Sequence, residues 1–217
     1  MDVLVDLFSF FLHVDEHLNT VVANFGVWTY IILFVVIFCE TGLVVTPFLP
    51  GDSLLFAAGA VAAALPETLN VWVLITLLIV AAILGDTVNY WIGHWVGPRA
   101  FSGNVRFLKQ EYLDRTNAFY AKHGGKTIIL ARFVPIVRTF APFVAGIGAM
   151  NYSRFILYNV VGGIAWVMIF SLLGFYFGSM PFVKENFELV IIAIILISVA
   201  PALWEFIGKK KLSVETS

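Results

Sequence analysis

The sequence predicts an all-α integral membrane protein. The expected architecture is an inverted repeat of a re-entrant helical hairpin plus a transmembrane helix, with an N-terminal interfacial helix and a C-terminal transmembrane helix. Three observations carry this expectation. Of 217 residues, 60% are hydrophobic and 12% charged, with a mean hydropathy of +0.94, whereas a soluble domain carries about 25% charged residues. Lys and Arg are absent from residues 1–98, and six then gather between Arg99 and Lys126. Two apolar stretches are broken by proline and glycine at corresponding places, and an unbroken span follows each. No stretch is polar or Pro-rich enough to act as a linker, so 1–217 reads as a single membrane domain.

Residues 3–12 are apolar apart from Asp6 and Ser9, too short for a span of about 20 residues. With His13, Asp15, Glu16 and His17 toward water, 1–20 reads as an interfacial helix. Region 27–65 reads as the first re-entrant hairpin. Its apolar run ends at Glu40, breaks at Pro47, Pro50 and Gly51, and resumes from Ser53 to Leu65. Broken backbone is tolerated at membrane depth only where protein or water covers it. Residues 71–96 form a full span carrying Asp86 and Asn89, and 99–126 form a basic loop. Region 127–150 is the second hairpin, interrupted by Arg132, Pro135, Arg138 and Pro142. Spans 152–178 and 187–207 complete the chain.

The repeat shows in three ordered matches. Phe48-Leu49-Pro50 returns as Phe133-Val134-Pro135, Ala57-Ala58-Gly59 as Val144-Ala145-Gly146, and Gly93-x-x-x-Gly97 as Gly174-x-x-x-Gly178, at offsets of 85, 87 and 81 residues. Lys and Arg collect on the cytoplasmic side of short loops. This places loop 99–126 and the Lys209–Lys211 end in the cytoplasm and the N-terminus outside. One span per copy then gives the copies opposite orientation, the arrangement of many secondary transporters, whose binding sites lie at the helix breaks.

The breaks carry the charges. Glu40 and Asp52 belong to the first hairpin, Arg132 and Arg138 to the second. Each unpaired ion at the bilayer centre costs about 2.5–3.5 kcal/mol even on the most lenient scale, so all four require partners or water. Pairing across the repeat interface is the natural solution. The plain alternative is a set of salt bridges locking the hairpins, but a lock needs one pair at most and apolar packing would serve as well. Arginine offers a planar fork suited to phosphate, and a desolvated carboxyl group can carry a proton. Arg132 and Arg138 are therefore the candidate phosphate-binding residues, and Glu40 and Asp52 the candidate proton-coupling gate. Asp86 and Asn89, three apart on one helical face, are secondary candidates to line the cavity or to pack helices.

Nothing else points to chemistry. Cys39 is alone, and no His/Cys/Asp cluster has metal-ligand spacing, so neither metal nor cofactor is expected. Lys122-His123-Gly124-Gly125-Lys126 falls short of a phosphate loop. The basic loop reads as topogenic, not as a nucleic-acid patch. Trp28, Trp72, Trp91, Trp95 and Trp204 lie near segment ends as an aromatic belt.

Glu40-Thr-Gly, Phe48-Leu-Pro-Gly-Asp52-Ser and Arg132-Phe-Val-Pro-Ile-Val-Arg138-Thr-Phe-Ala-Pro-Phe-Val-Ala-Gly, with Gly85-Asp86, Asn89-Tyr90 and Lys122-His123-Gly124, resemble the DedA family, also called the SNARE-associated or VTT-domain family. The resemblance covers nearly the whole chain. It implies a bacterial inner-membrane protein, dependent on the proton-motive force and supporting envelope homeostasis. Some members are flippases recycling undecaprenyl phosphate, and eukaryotic relatives scramble phospholipids. It further implies that Glu40, Asp52, Arg132 and Arg138 are functionally required.

The leading expectation is a non-enzymatic, proton-coupled transporter of a polyprenyl phosphate, with protons and membrane lipids as partners and room for a homo-oligomer. A cation–proton exchanger and a general phospholipid scramblase are the alternatives. A lipid phosphatase would need a nucleophile or base clustered near the arginines, and the sequence offers none.

Overall fold

The computed structural model describes residues 20, 22, 24–43, 51–100, 124–148, 150–187, 189–194 and 196, all in helices or their connections, with no strand among them. The helices are α1 (Trp28–Gly42), α2 (Gly51–Ala64), α3 (Val71–Ala100), α4 (Lys126–Ala131), α5 (Pro135–Ile147), α6 (Tyr152–Phe177) and α7 (Pro181–Glu185). Helical residues resume at Phe187 and run through the described part of 187–196. The expected interfacial helix before Thr20, the Pro47–Pro50 break, the basic loop over 101–123 and the chain beyond 196 lie outside the described residues.

Local chemistry sets the boundaries. The Asn70 side chain caps α3 by accepting from the Trp72 and Val73 backbone N–H groups at 2.9 and 3.3 Å, and Asn151 caps α6 by accepting from Ser153 N–H at 2.9 Å. The Tyr30 hydroxyl accepts from the Asn70 N–H at 2.6 Å, tying α1 to the start of α3. The break between α4 and α5 follows from Pro135. Val134 before it is extended and Pro135 opens α5, where its missing N–H costs nothing.

Two helices, Val71–Gly97 and Tyr152–Phe177, are long and apolar enough to cross a membrane, and α1, α2 and residues 137–147 are shorter apolar helices. Many large apolar side chains face outward, among them Trp72, Leu130, Leu157 and Phe182, as a surface solvated by lipid requires. The long helices α3 and α6 pack against each other and share out the short ones: α3 holds α1 and α5, while α6 holds α2 and α4.

Two small-residue seams carry much of this packing. In one, Gly59 of α2 faces the Ser171 carbonyl, Gly174 of α6 faces the Phe56 carbonyl, and Gly178 abuts Ala60. In the other, Gly146 of α5 faces the Tyr90 carbonyl, Gly93 of α3 faces the Phe143 carbonyl, and Gly97 abuts Ile147. The partners correspond residue for residue, at an offset of 87 from α2 to α5 and of 81 from α3 to α6. Missing side chains let helix backbones approach closely, the usual device where lipid removes the hydrophobic drive for helix association. The two seams thus share one pattern of glycine contacts.

Candidate functional site

Each break in the short helices is flanked by two charges. Glu40 lies at the end of α1 and Asp52 at the start of α2, while Arg132 follows α4 and Arg138 lies in the first turns of α5. Asp86 and Trp166 lie near the middles of α3 and α6. Packing α3 against α6 brings all of these together. The five charged residues are each no more than 5% exposed.

Two ion-pair centres result. In the first, Arg138 joins both acids of the other pair: its Nη1 donates to Asp52 Oδ1 at 2.7 Å, and its Nη2 to Glu40 Oε1. The Trp166 indole N–H donates to the same Asp52 oxygen at 2.7 Å. Its ring lies under the Arg138 guanidinium, 5.1 Å from the centroid, within cation–π range. Glu40 Oε1 also accepts from the Gly51 backbone N–H at 2.9 Å. Glu40 Oε2, fully buried, has no hydrogen-bond partner among the described residues.

In the second centre, Arg132 Nη2 donates to Asp86 Oδ2 at 2.5 Å and to Asn159 Oδ1. The Asn159 amide is oriented by donating to the Ile83 carbonyl at 3.1 Å. Arg132 also lies over Trp166, 5.9 Å from the ring centroid, so this indole neighbours both guanidinium groups.

The expectation that both arginines face the two acids of the first hairpin therefore needs correction. Arg138 holds both, and Arg132 pairs with Asp86. The cause is packing: α4 lies on α6, which sets the end of α4 beside the middle of α3 and supplies Asn159 as a second acceptor. Asp86, expected only as a secondary candidate, is a full member of the cluster. Asn89 instead braces helices, donating to the Thr41 carbonyl at 3.0 Å and the Thr139 carbonyl at 2.8 Å. Trp166 and Asn159 were not anticipated. Both had a signal, since Trp166 sits mid-span, where a belt tryptophan does not, and Asn159 is an amide within an apolar span.

Among the described residues the charges do not balance. Three carboxylates face two guanidinium groups among the described residues, leaving one negative charge in excess when all are ionised. An excess of buried charge is costly in apolar surroundings and is relieved by a proton or a cation. No group of three or more His, Cys, Asp or Glu among the described residues is arranged to hold a metal ion.

Comparison with known proteins places the chain. The VTT domain matches residues 49–176. Protein DedA of Escherichia coli K12 is 55% identical over 212 residues, 97% of either chain. An uncharacterized membrane protein of Mycobacterium leprae is 45% identical over 170 residues, covering 78% of this chain and 75% of its own. The inner membrane protein YqjA of Escherichia coli K12 is 38% identical over 167 residues, covering 74% of this chain and 73% of its own. No solved structure matches.

Proposed function

The chain belongs to the DedA family of VTT-domain membrane proteins, and from that premise we propose that it is a proton-coupled transporter moving a polyprenyl phosphate, of the undecaprenyl phosphate class, from the outer to the inner leaflet of the bacterial inner membrane. The observation that carries this reading is the sharing of Arg138 between Glu40 and Asp52. A guanidinium paired with two carboxylates has its charge already neutralised and holds a phosphate only weakly. Protonation of either acid weakens its hold and frees part of the fork for an anionic headgroup, and release of the headgroup restores the ion pairs. Proton uptake and phosphate binding are then the same event seen from two sides. Arg132, also within reach of the Trp166 ring, is the second cation available to the phosphate, at the cost of its pair with Asp86. No step calls for bond chemistry, so the reading is transport and not enzymology.

The matched seams support an inverted repeat, with α1–α2 and α4–α5 as re-entrant hairpins entering from opposite sides and meeting at the charges. Loop 99–126 and the C-terminus then lie in the cytoplasm and the N-terminus in the periplasm.

One observation favours a second reading. The excess carboxylate is also what a cation–proton exchanger requires, with Glu40 and Asp52 as the ion site and the arginines only tuning it. Proteoliposomes separate the two. The lipid transporter takes up undecaprenyl phosphate faster under a pH gradient and loses this with Arg138→Ala, and Arg138→Lys rescues little because it has no fork. Retained lipid uptake by Arg138→Ala contradicts the assigned role. Gradient-driven sodium or potassium flux surviving Arg138→Lys supports the exchanger.

A further inference from the structure

We propose that the Glu40 carboxylate is an internal stand-in for the lipid phosphate, occupying the headgroup's seat at the N-terminus of α2 until protonation makes it leave. This inference rests on the transport reading above and adds the location of the seat and its regulation.

Two donors converge on the seat, and both are of a kind that binds phosphate. Glu40 Oε1 accepts from the first backbone N–H of α2, that of Gly51, at 2.9 Å. The same oxygen accepts from Arg138 Nη2. The seat therefore combines a helix N-terminus, with its positive end and outward N–H groups, and a guanidinium donor, the two standard elements of phosphate recognition. α2 is 14 residues long and begins with Gly51. A Cβ on Gly51 would fall on the Glu40 carboxylate, so the anion lies directly against bare backbone.

The carboxylate fills this seat incompletely. Glu40 is 1% exposed, yet Oε2 has no partner among the described residues, and neither has the hydroxyl of Ser53, itself 1% exposed in the first turn of α2. Leaving such groups unsatisfied is costly. A phosphate monoester brings three terminal oxygens and can use donors that a carboxylate leaves idle. Glu40 is the removable anion of the two. Asp52 belongs to α2 itself and is held by the Trp166 indole as well as Arg138, whereas Glu40 reaches the seat from another helix.

Among the described residues, the charged groups around Glu40 are Asp52 on α2 and Arg138 on α5, with the Asp86–Arg132 pair of α3 and the end of α4 in the same cluster. Asp52 opposes the Glu40 charge and Arg138 favours it. Loss of the Glu40 charge weakens its hold on Arg138 Nη2 and on the Gly51 N–H, the two donors a new anion would take over.

The test uses the purified full-length chain in nanodiscs, with radiolabelled farnesyl phosphate as probe and farnesol and inorganic phosphate as competitors, at pH 6 and pH 8. Wild type binds farnesyl phosphate more tightly at pH 6. Glu40→Gln keeps the shape and removes the charge. It binds the probe at pH 8 at least about tenfold more tightly than wild type, the scale of one charged hydrogen bond, and its pH dependence flattens. Adding Gly51→Ala fills the seat with a methyl group and cancels that gain, while thermal melting confirms folding. If Glu40→Gln binds no more tightly than wild type while both still require Arg138, the stand-in role is overturned and the transport reading survives. If neither protein prefers farnesyl phosphate to farnesol, both fall. Equal competition by inorganic phosphate overturns the assignment to a lipid headgroup.

Discussion

The Trp166 indole N–H and the Arg138 guanidinium donate to one and the same oxygen of Asp52, each at 2.7 Å. Three elements are thereby locked at a single atom: the start of α2, the start of α5 and the middle of α6. Trp166→Phe keeps a ring for both arginines and deletes the shared donor. The expected loss of stability is about 1.5–3 kcal/mol, the worth of a hydrogen bond to a charged group, read by thermal or denaturant unfolding in detergent. Lipid uptake falls with it. Trp166→Leu, which also removes the cation–π face, falls further.

The second centre predicts a specific coupling. Removing one partner of a buried ion pair leaves a bare charge and costs about 3–5 kcal/mol. Arg132→Met and Asp86→Leu each destabilise on this scale, while the double variant costs much less than their sum. A double-mutant cycle between Arg132 and Glu40 shows little coupling by comparison. A strong Arg132–Glu40 term with none to Asp86 would show that the arginine faces the first hairpin after all.

The two glycine seams predict matched penalties. Gly93→Ala and Gly174→Ala each drive a Cβ into a backbone carbonyl, of Phe143 and Phe56 respectively. Each costs about 1–3 kcal/mol by overpacking, and the corresponding positions of the repeat give similar values. Gly124, where nothing lies within 4 Å of an added Cβ but φ is +64°, is sensitive for a backbone reason alone.

Much of this was legible in the sequence because charge in apolar sequence is conspicuous. Glu40, Asp52, Arg132 and Arg138 announced themselves, and the paired glycines were legible as matches of a repeat, though not as the seams where helices pack. The partner of Arg132 was not legible. It depends on α4 lying along α6, a tertiary choice that leaves no trace in hydrophobic spacing. Asp86 carried the same mark as the other charges but stands in an unbroken span, where a carboxylate also suits a packing role. Trp166 was hidden by type, since tryptophan in membrane sequence is read first as an interfacial anchor.

Proton coupling also predicts how the acids behave when changed singly. Glu40→Gln holds the probe tightly but returns slowly, so steady uptake of undecaprenyl phosphate falls although binding rises. Asp52→Asn loses both, because it removes the acceptor that keeps Arg138 and Trp166 in place. Measuring affinity and flux on the same preparations separates these outcomes.

The central claim is that a phosphate and a carboxylate compete for Arg138, and proton counting tests it most directly. At pH 8 a phosphate monoester is already dianionic, its second pKa being about 6, so it releases no proton on binding to mask uptake, and Arg138→Ala serves as the control for protonation of the ligand itself. In weakly buffered solution with a pH indicator, undecaprenyl phosphate binding should draw protons from the medium in wild type and none in Arg138→Ala. Binding with no proton uptake, or with equal uptake in Arg138→Ala, would contradict the account.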